Sequence, residues 1–327
     1  MTGSPSDPYI SVVVPARNSA DTIGVCIRSL EEHIPAGKYE IIVVDNDSTD
    51  NTGQEASRHD VTVVSATGVY VSQVRNVGAE QARGDLLAFI DSDCTITPEW
   101  YRSAVELLDR DPGTGVVGSR HVIPENPAWV EAVWAEAHHS DRAGEPREVA
   151  YIPAGNLLIP RKVFQEVGGF DPTLETGEDP DLCNRIGSAG YRIVEWDRIR
   201  CVHLGEPKTL RQVFLREKWH GRGVRLRYAS GRVAPVVLAT CLFGALLPVA
   251  AAGVLMSLVT STLLPATALL LPLAVPAIYT LARAGRVKLS RLPALMAVYT
   301  FYFLGRAVSL PVAILRALRD PQGGSNG

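Results

Sequence analysis

The chain is poor in cysteine and lysine, and over one long stretch it carries no charge at all. Its five cysteines, Cys26, Cys94, Cys183, Cys201 and Cys241, are an odd number with no C-x-x-C pair and no histidine-rich spacing. The spacing therefore indicates neither a disulfide framework nor a structural zinc site, and a reducing compartment is the simpler reading. Arginine outnumbers lysine 27 to 5, which reads as coding bias rather than chemistry. No G-x-x-x-x-G-K-[ST] occurs, so a P-loop ATPase is excluded. The N-terminal "MTGSPSDPYI" has neither a basic n-region nor an apolar core, so no signal peptide is expected and 1–8 reads as a disordered lead. The net charge of −3 selects no class of partner, and no nucleic acid is expected.

What is present is unevenly spread. With 327 residues, 46% of them hydrophobic, the chain can hold two domains. From Val233 to Ala282, fifty consecutive residues include no Asp, Glu, Lys or Arg. A bilayer crossing needs roughly 20 apolar residues, so two crossings fit, with a turn near "VTSTLLP". A third apolar stretch, Leu292 to Leu315, is interrupted by Arg306 and is left open as a span, a re-entrant segment or an interfacial helix. Lys208 to Arg232 holds eight basic residues against Glu217 alone, and Arg283, Arg286, Lys288 and Arg291 follow the charge-free run. Positive residues stay on the cytoplasmic side. The expectation is a multi-pass protein of the plasma (inner) membrane with its large N-terminal part in the cytosol.

Residues 9–207 read as an α/β domain. "YISVVVPA", "YEIIVVDN", "DVTVVSA" and "DLLAFID" have strand character, and "DTIGVCIRSLEE" and "VSQVRNVGAEQAR" have helical spacing. Strand alternating with helix implies a mostly parallel sheet flanked by helices, with ligands in the crevice at the carboxyl ends of the strands. Acids and amides gather at those ends: Pro15, Ala16, Arg17 and Asn18, then Asp45 to Asp50, then Asp91, Ser92 and Asp93. Any one cluster is explained by an Asx-turn or a helix cap; together they make a polar crevice. Asp91-Ser92-Asp93 suits a hard divalent cation, which takes oxygen ligands from one or two carboxylates and substrate phosphates. "GTGVVG" matches a dinucleotide-binding spacing, but a helical pattern precedes it and a strand-like one follows, so it reads as a helix-to-strand turn. Glu178, Asp179 and Asp181 open a later helix, where acids serve the helix dipole or supply a general base.

The ordered set "VVVPARN", "IIVVDNDSTDNT", "RNVGAEQARGDLLAFIDSDC", "GNLLIPRKVFQEVGGFD" and "GEDPDLCNR" resembles family 2 glycosyltransferases of the GT-A fold. The resemblance runs from about Tyr9 to His203. It implies an inverting transfer of a sugar from a nucleoside diphosphate donor, expected to be UDP-linked. It puts Pro15, Arg17, Asn18, Asp45, Asp47, Arg75, Asp91, Ser92 and Asp93 at the nucleotide-sugar, with Asp45 on the base. Asp93 and His203 would hold Mn2+ or Mg2+, and Asp179 would be the catalytic base. Gly155, Asn156, Glu178, Arg216 and Trp219 would face the acceptor or the diphosphate. Asp47 stands where the family has glycine, which suggests a left-handed turn that Asp tolerates. The processive Q-x-x-R-W motif is matched only by Gln212, Arg216 and Trp219 at the wrong spacing, which favours single-sugar transfer.

The domains expected are the lead, the catalytic domain 9–207, a basic amphipathic arm 208–232, a membrane domain 233–315 with two or three helices, and a disordered tail 316–327. An enzyme anchored beside membrane lipid is expected to use a lipid-linked or glycolipid acceptor. Two alternatives stand beside it: a polyprenyl-phosphate glycosyl synthase of the same fold, and a non-catalytic sugar-nucleotide-binding membrane scaffold.

Overall fold

The structure, a computed structural model, describes residues 9–138, 144–221, 235–263 and 265–319. The expected lead, most of the expected basic arm beyond α8 and the end of the expected tail lie outside the described residues. The chain forms two compact units, Met1–Pro124 with Asp141–Glu206, and Glu125–Ser140 with Pro207–Gly327.

The described residues of the first unit form ten strands and six helices. The strands are β1 (Ile10–Ala16), β2 (Tyr39–Asn46), β3 (Thr62–Ala66), β4 (Leu86–Ile90), β5 (Cys94–Ile96), β6 (Thr114–Gly118), β7 (Arg147–Glu148), β8 (Asn156–Pro160), β9 (Arg192–Glu195) and β10 (Cys201–His203). The helices are α1 (Ile23–His33), α2 (Thr52–Ala56), α3 (Val71–Gln81), α4 (Trp100–Arg110), α6 (Arg161–Glu166) and α7 (Glu178–Ser188); α5 (Trp129–His138) belongs to the second unit. The main sheet runs β3-β2-β1-β4-β8-β6-β9-β7, and β5 pairs with β10 apart from it. β1 pairs in parallel with β2 and β4, β2 with β3, and β6 with β9, while β8 runs antiparallel between β4 and β6. β6 follows α4 after Asp111, Pro112 and Gly113, so "GTGVVG" lies at the helix-to-strand junction its flanks suggested, with all but Gly113 in the strand itself.

Every residue of β1, β4 and β6 is buried, as a strand covered on both faces requires. Period-two alternation divides them between two cores. Ile10, Val12 and Val14 pack with Ile23, Ile27 and Leu30 of α1. Val13, Ile42, Val44 and Phe89 pack with Val74 of α3 and with Phe164 and Phe170. Each fully buried Val, Ile or Phe contributes about 1.5–3 kcal/mol of transfer free energy, so the sheet is a firm base for the loops at its carboxyl edge.

Helix α3 lies so close to the sheet that a methyl group at Gly78 would overlap Val13 and crowd Val44. In a helix, Gly→Ala ordinarily gains about 1 kcal/mol of propensity. Overpacking a filled core costs about 1–3 kcal/mol, so the steric effect wins. Gly78→Ala is expected to lower the melting temperature of the chain, measured by differential scanning fluorimetry; an unchanged or higher value would refute that close packing.

The second unit is helical: α5, α8 (Leu210–His220), α9 (Pro235–Thr260), α10 (Ala274–Leu281) and α11 (Leu292–Arg319). Among the described residues, two helices, Pro235–Thr260 and Leu289–Pro311, are long and apolar enough to cross a membrane. At 1.5 Å per residue, a 26-residue helix spans about 39 Å, more than the ~30 Å of hydrocarbon in a bilayer. Only 11% of the apolar window of α9 is buried within the protein, the reverse of a soluble core helix. Leu238, Leu242, Leu255, Met256, Leu258 and Val259 all point outward.

The second crossing expected within Val233–Ala282 is not there as a helix. After α9 the chain breaks into a 3-10 turn at Pro265–Leu270 and the eight-residue α10. Pro265, Pro272 and Pro276 punctuate this segment, and proline lacks the N–H that a continuous helix needs. Gly253 lets the returning chain press against α9, where a Cβ would overlap the Pro265 carbonyl. The third apolar stretch, left open by the sequence, is instead one 28-residue helix. Arg306 does not interrupt it, because its Nε lies 2.7 Å from Glu217 Oε2 of α8 and its guanidinium lies 4.7 Å over the Tyr302 ring. Glu136 of α5 likewise pairs with Arg291 at 2.7 Å, and His138 Nε2 is 3.0 Å from the Tyr299 hydroxyl. Glu136 and His138 are thus packing groups of the second unit.

Candidate active site

Three loops leave the carboxyl ends of β1, β2 and β4 and are stitched to one another. The Asn18 N–H donates to Ser48 Oγ at 3.0 Å, and the Thr49 N–H returns to Asn18 Oδ1 at 2.8 Å. The hydroxyls of Ser19 and Ser92 meet at 2.7 Å and join the first loop to the third. Asn18 and Asp47 both adopt left-handed backbone, with φ of 51° and 54°. Asp47 offsets that strain by accepting the Gly68 N–H at 2.7 Å. Pro15 is buried, paired in register with Val44, while Arg17 is exposed at the mouth. Asp45 accepts the Ser48 N–H at 3.2 Å, which holds its carboxylate at the β2 end.

Deeper in the crevice, Arg75 of α3 is 4% exposed and clamps two acids. Its Nη1 lies 2.7 Å from Glu178 Oε1 and its Nη2 lies 2.9 Å from Asp91 Oδ1. The Phe170 ring sits 5.7 Å beneath the guanidinium. Burial alone would push the Asp91 carboxyl up, but Arg75, His121 and His203 outweigh it and hold Asp91 below the usual carboxylate range. Asp179, next to Glu178 at the start of α7, has no such clamp. Burial first and the Glu178 carboxylate second raise it to about 6, with Arg75 pulling the other way. The Ala154 N–H donates to its Oδ2 at a long 3.4 Å. Two neighbouring carboxylates are thus pushed apart in proton affinity, the arrangement that separates a charge holder from a proton acceptor.

Asp93 lies at the other side of this group. The antiparallel β5–β10 ladder sets His203 opposite Cys94 and brings His203 Nε2 to 3.4 Å from Asp93 Oδ1. Burial raises the Asp93 carboxyl, Asp91 adds to the rise and His203 opposes it. The pair fits a hard divalent cation on three grounds. Carboxylate oxygen and imidazole nitrogen are suitable donors. A 3.4 Å separation lets both reach one ion. Any Cβ at Gly205 would overlap the Asp93 carboxylate, so the space beside it is kept open by glycine. Gly155 does the same beside Asp91 and His121, whose side-chain atoms a Cβ would strike.

Other expected residues have surroundings of their own. Asn156 does not face substrate: it is fully buried, its carbonyl oxygen accepts from Trp100 Nε1 at 2.7 Å, and its amide nitrogen donates to the Ile199 and Ser119 carbonyls at 2.8 and 3.2 Å. Strand alternation turns its side chain into the core and leaves Gly155 as the crevice residue. Glu178 serves Arg75 rather than presenting a free carboxylate. Arg216 and Trp219 lie on α8 of the second unit, Arg216 over the Trp134 ring at 6.0 Å and Trp219 beside His220 at 4.9 Å.

Sequence reasoning missed His121 and Gly205. His121 follows β6 outside any motif, and its ring stacks on His203 at 4.9 Å. Gly205 follows β10, and only the folded ladder shows what its missing side chain leaves free. Cys94 and Cys201, dismissed from their spacing, meet below this ladder, and Cys26 donates to the Asp91 carbonyl at 3.6 Å.

Residues 11–168 match the family model described as "Glycosyl transferase family 2". Glycosyltransferase AglE of Haloferax volcanii is 30% identical over 199 residues, 57% of this chain and 64% of AglE. Residues 11–168 are a family 2 glycosyltransferase domain. The pre-mycofactocin glycosyltransferase of Mycobacterium tuberculosis is 30% identical over 234 residues, 66% of this chain and 47% of that one. The chain therefore spans under two thirds of the length of these relatives. Among solved structures, the mannosyltransferase PcManGT from Pyrobaculum calidifontis in complex with GDP-Man and Mn2+ covers 98% of this chain and 90% of its own, with a TM-score of 0.55 at 19% identity. S. aureus TarS 1-349 covers 96% of this chain and 92% of its own, with a TM-score of 0.50 at 17% identity. The family 2 domain has the GT-A fold.

Proposed function

We propose that the chain is a membrane-bound inverting glycosyltransferase that moves one sugar from a nucleoside diphosphate sugar to a hydroxyl of a lipid-linked or glycolipid acceptor. The observation that carries this reading is the split between Asp91, held charged on Arg75, and Asp179, raised to about 6 without a cation of its own. Asp45 and Arg17 at the strand ends would meet the nucleoside, with UDP the expected carrier. Arg75 keeps Asp91 and Glu178 in place as the substrates bind. As the acceptor oxygen bonds to the anomeric carbon, its proton passes to Asp179. The bond from that carbon to the diphosphate oxygen breaks, so a single displacement inverts the centre. Asp93 and His203 would hold Mn2+ or Mg2+, which when bound supplies Lewis-acid stabilisation of the leaving diphosphate. The Mn2+ bound by the mannosyltransferase of the same fold supports a divalent ion here.

The outward-facing apolar side chains of α9 support membrane residence, and the cations that flank the apolar helices support a cytoplasmic catalytic unit at the inner membrane. Protease added outside sealed cells that cleaved within 9–207 would refute that orientation. Detergent-solubilised chain, given Mn2+ or Mg2+ and UDP-, GDP- or dTDP-sugars with and without total lipid extract, is expected to release nucleotide in a lipid-dependent way. No lipid-dependent release from any donor would sink the reading. Asp93→Asn is expected to remove nearly all of that release while the chain keeps its melting temperature. Unchanged, metal-independent behaviour would favour the non-catalytic scaffold.

A further inference from the structure

Beside Asp93 and His203 lies a second group of donor atoms with different chemistry. Cys94 Sγ on β5, Cys201 Sγ on β10 and a ring nitrogen of His121 all lie within 4.8 Å of one another. Both cysteines are fully buried, and His121 Nε2 is buried without a hydrogen-bond partner among the described residues. Gly155 keeps the space beside that nitrogen clear, since a Cβ there would lie 2.8 Å from His121 Nε2. A tetrahedral zinc site has Zn–S near 2.3 Å and Zn–N near 2.0–2.1 Å, which puts its ligand atoms about 3.5–3.8 Å apart. The three donors need to close by no more than about 1.3 Å to reach that spacing.

We propose that Cys94, Cys201 and His121 form a site for a thiophilic divalent metal, zinc by its donor set, under the floor of the catalytic crevice. Binding replaces the two thiol protons, which leave to solvent, with two metal–sulfur bonds and one metal–nitrogen bond. Three protein ligands leave one position open to water or a neighbouring carboxylate. The donors differ from the Asp93–His203 pair in softness: sulfur selects zinc and its congeners, oxygen selects Mg2+ and Mn2+. The two sites adjoin, because Cys94 Sγ also lies within 4.8 Å of Asp93 and His203 donors. A bound ion would cross-link β5 to β10 and so fix the register on which Asp93 and His203 depend. A Cys94–Cys201 disulfide is the competing use of these thiols, and the ladder argues against it. Cys94 faces His203 and Cys201 faces Ile96, so the cysteines are diagonal. Diagonal residues stand about 7–8 Å apart, beyond the usual disulfide range of about 4.4–6.8 Å.

The test is spectroscopic and needs no substrate. Metal-free, thiol-reduced full chain in detergent is titrated with Co2+, whose thiolate complexes show an intense near-ultraviolet charge-transfer band that oxygen and nitrogen ligands do not produce. One equivalent is expected to develop the band, and one equivalent of Zn2+ to abolish it. Cys201→Ser is expected to lose the band and to weaken Zn2+ binding at least about tenfold, whereas Cys241→Ser keeps both. His121→Ala provides a second variant with both thiols intact, and it too is expected to weaken Zn2+. A wild-type chain that gives no sulfur-to-cobalt band overturns the proposal, as does a band of full strength in folded Cys201→Ser. Glycosyl transfer can fail without touching this result.

Discussion

Asp179→Asn is expected to lower kcat by about 10²–10⁴-fold, the range that a positioned general base supplies. The amide keeps the size of the side chain and its contact with the Ala154 N–H, so the KM for the donor is expected to change little and the melting temperature hardly at all. The sign of the pH effect follows from Asp179 being raised to about 6. The base is needed ionised, so kcat/KM should fall about tenfold per unit as pH drops below about 6 and level off above it. The Asn variant should lose that limb of the profile. Steady-state nucleotide release between about pH 4.5 and 8 reads both outcomes. Near-normal turnover in the variant would remove Asp179 as base and favour the polyprenyl-phosphate glycosyl synthase, whose phosphate acceptor arrives already as an anion.

Arg75→Met carries the largest expected loss of stability. Arg75 and Glu178 are both nearly inaccessible, with side chains 5% and 9% exposed, and Asp91 shares the same guanidinium. Removing one partner of a buried pair costs about 3–5 kcal/mol, because the remaining charge is neither solvated nor neutralised. Methionine fills much of the volume, so the loss reports charge rather than a cavity. The pH dependence has opposite signs in the two proteins. In the wild type, Asp91 is lowered, so its contribution is present above the ordinary carboxylate range and is lost as pH falls through the lowered value. In Arg75→Met, burial, the largest influence on Asp91, loses its strongest opponent, so a penalty for holding the acid charged appears as pH rises and shrinks on acidification. Thermal melts of both proteins at about pH 5 and pH 8 are expected to show the gap widening at the higher pH. Equal melting temperatures at pH 8 would mean that the clamp contributes nothing.

Much of this was legible in the linear chain because its signals are local. The apolar runs of β1, β2 and β4 and the helical spacing of α1 and α3 stand in continuous segments, Asp91 and Asp93 follow the end of β4, and Asp179 sits in the first turn of α7. Asn156 was misread for a reason equally local in scale: its motif lies at the crevice, but alternation along β8 points its side chain the other way. The membrane segments were misread where composition outweighs punctuation. Fifty residues without charge suggest two crossings, yet three prolines break the second, and Arg306 looked like an interruption until Glu217 was found beside it.

Sequence by itself determined the α/β architecture, the glycosyltransferase family, the acids at the strand ends and the apolar character of the C-terminal helices. All of these follow from patterns of neighbouring residues, and neighbour patterns survive without coordinates. Tertiary structure alone decided that Arg75 bridges Asp91 and Glu178, that Asp179 is left with raised proton affinity, and that His203 reaches Asp93. It also decided that Cys94, Cys201 and His121 converge. Those facts depend on antiparallel β5–β10 pairing and on the Arg75–Glu178 ion pair that joins α3 to α7, contacts between segments far apart in the chain. Distance and burial set charge states there, and neither is written in the spacing of residues along the sequence.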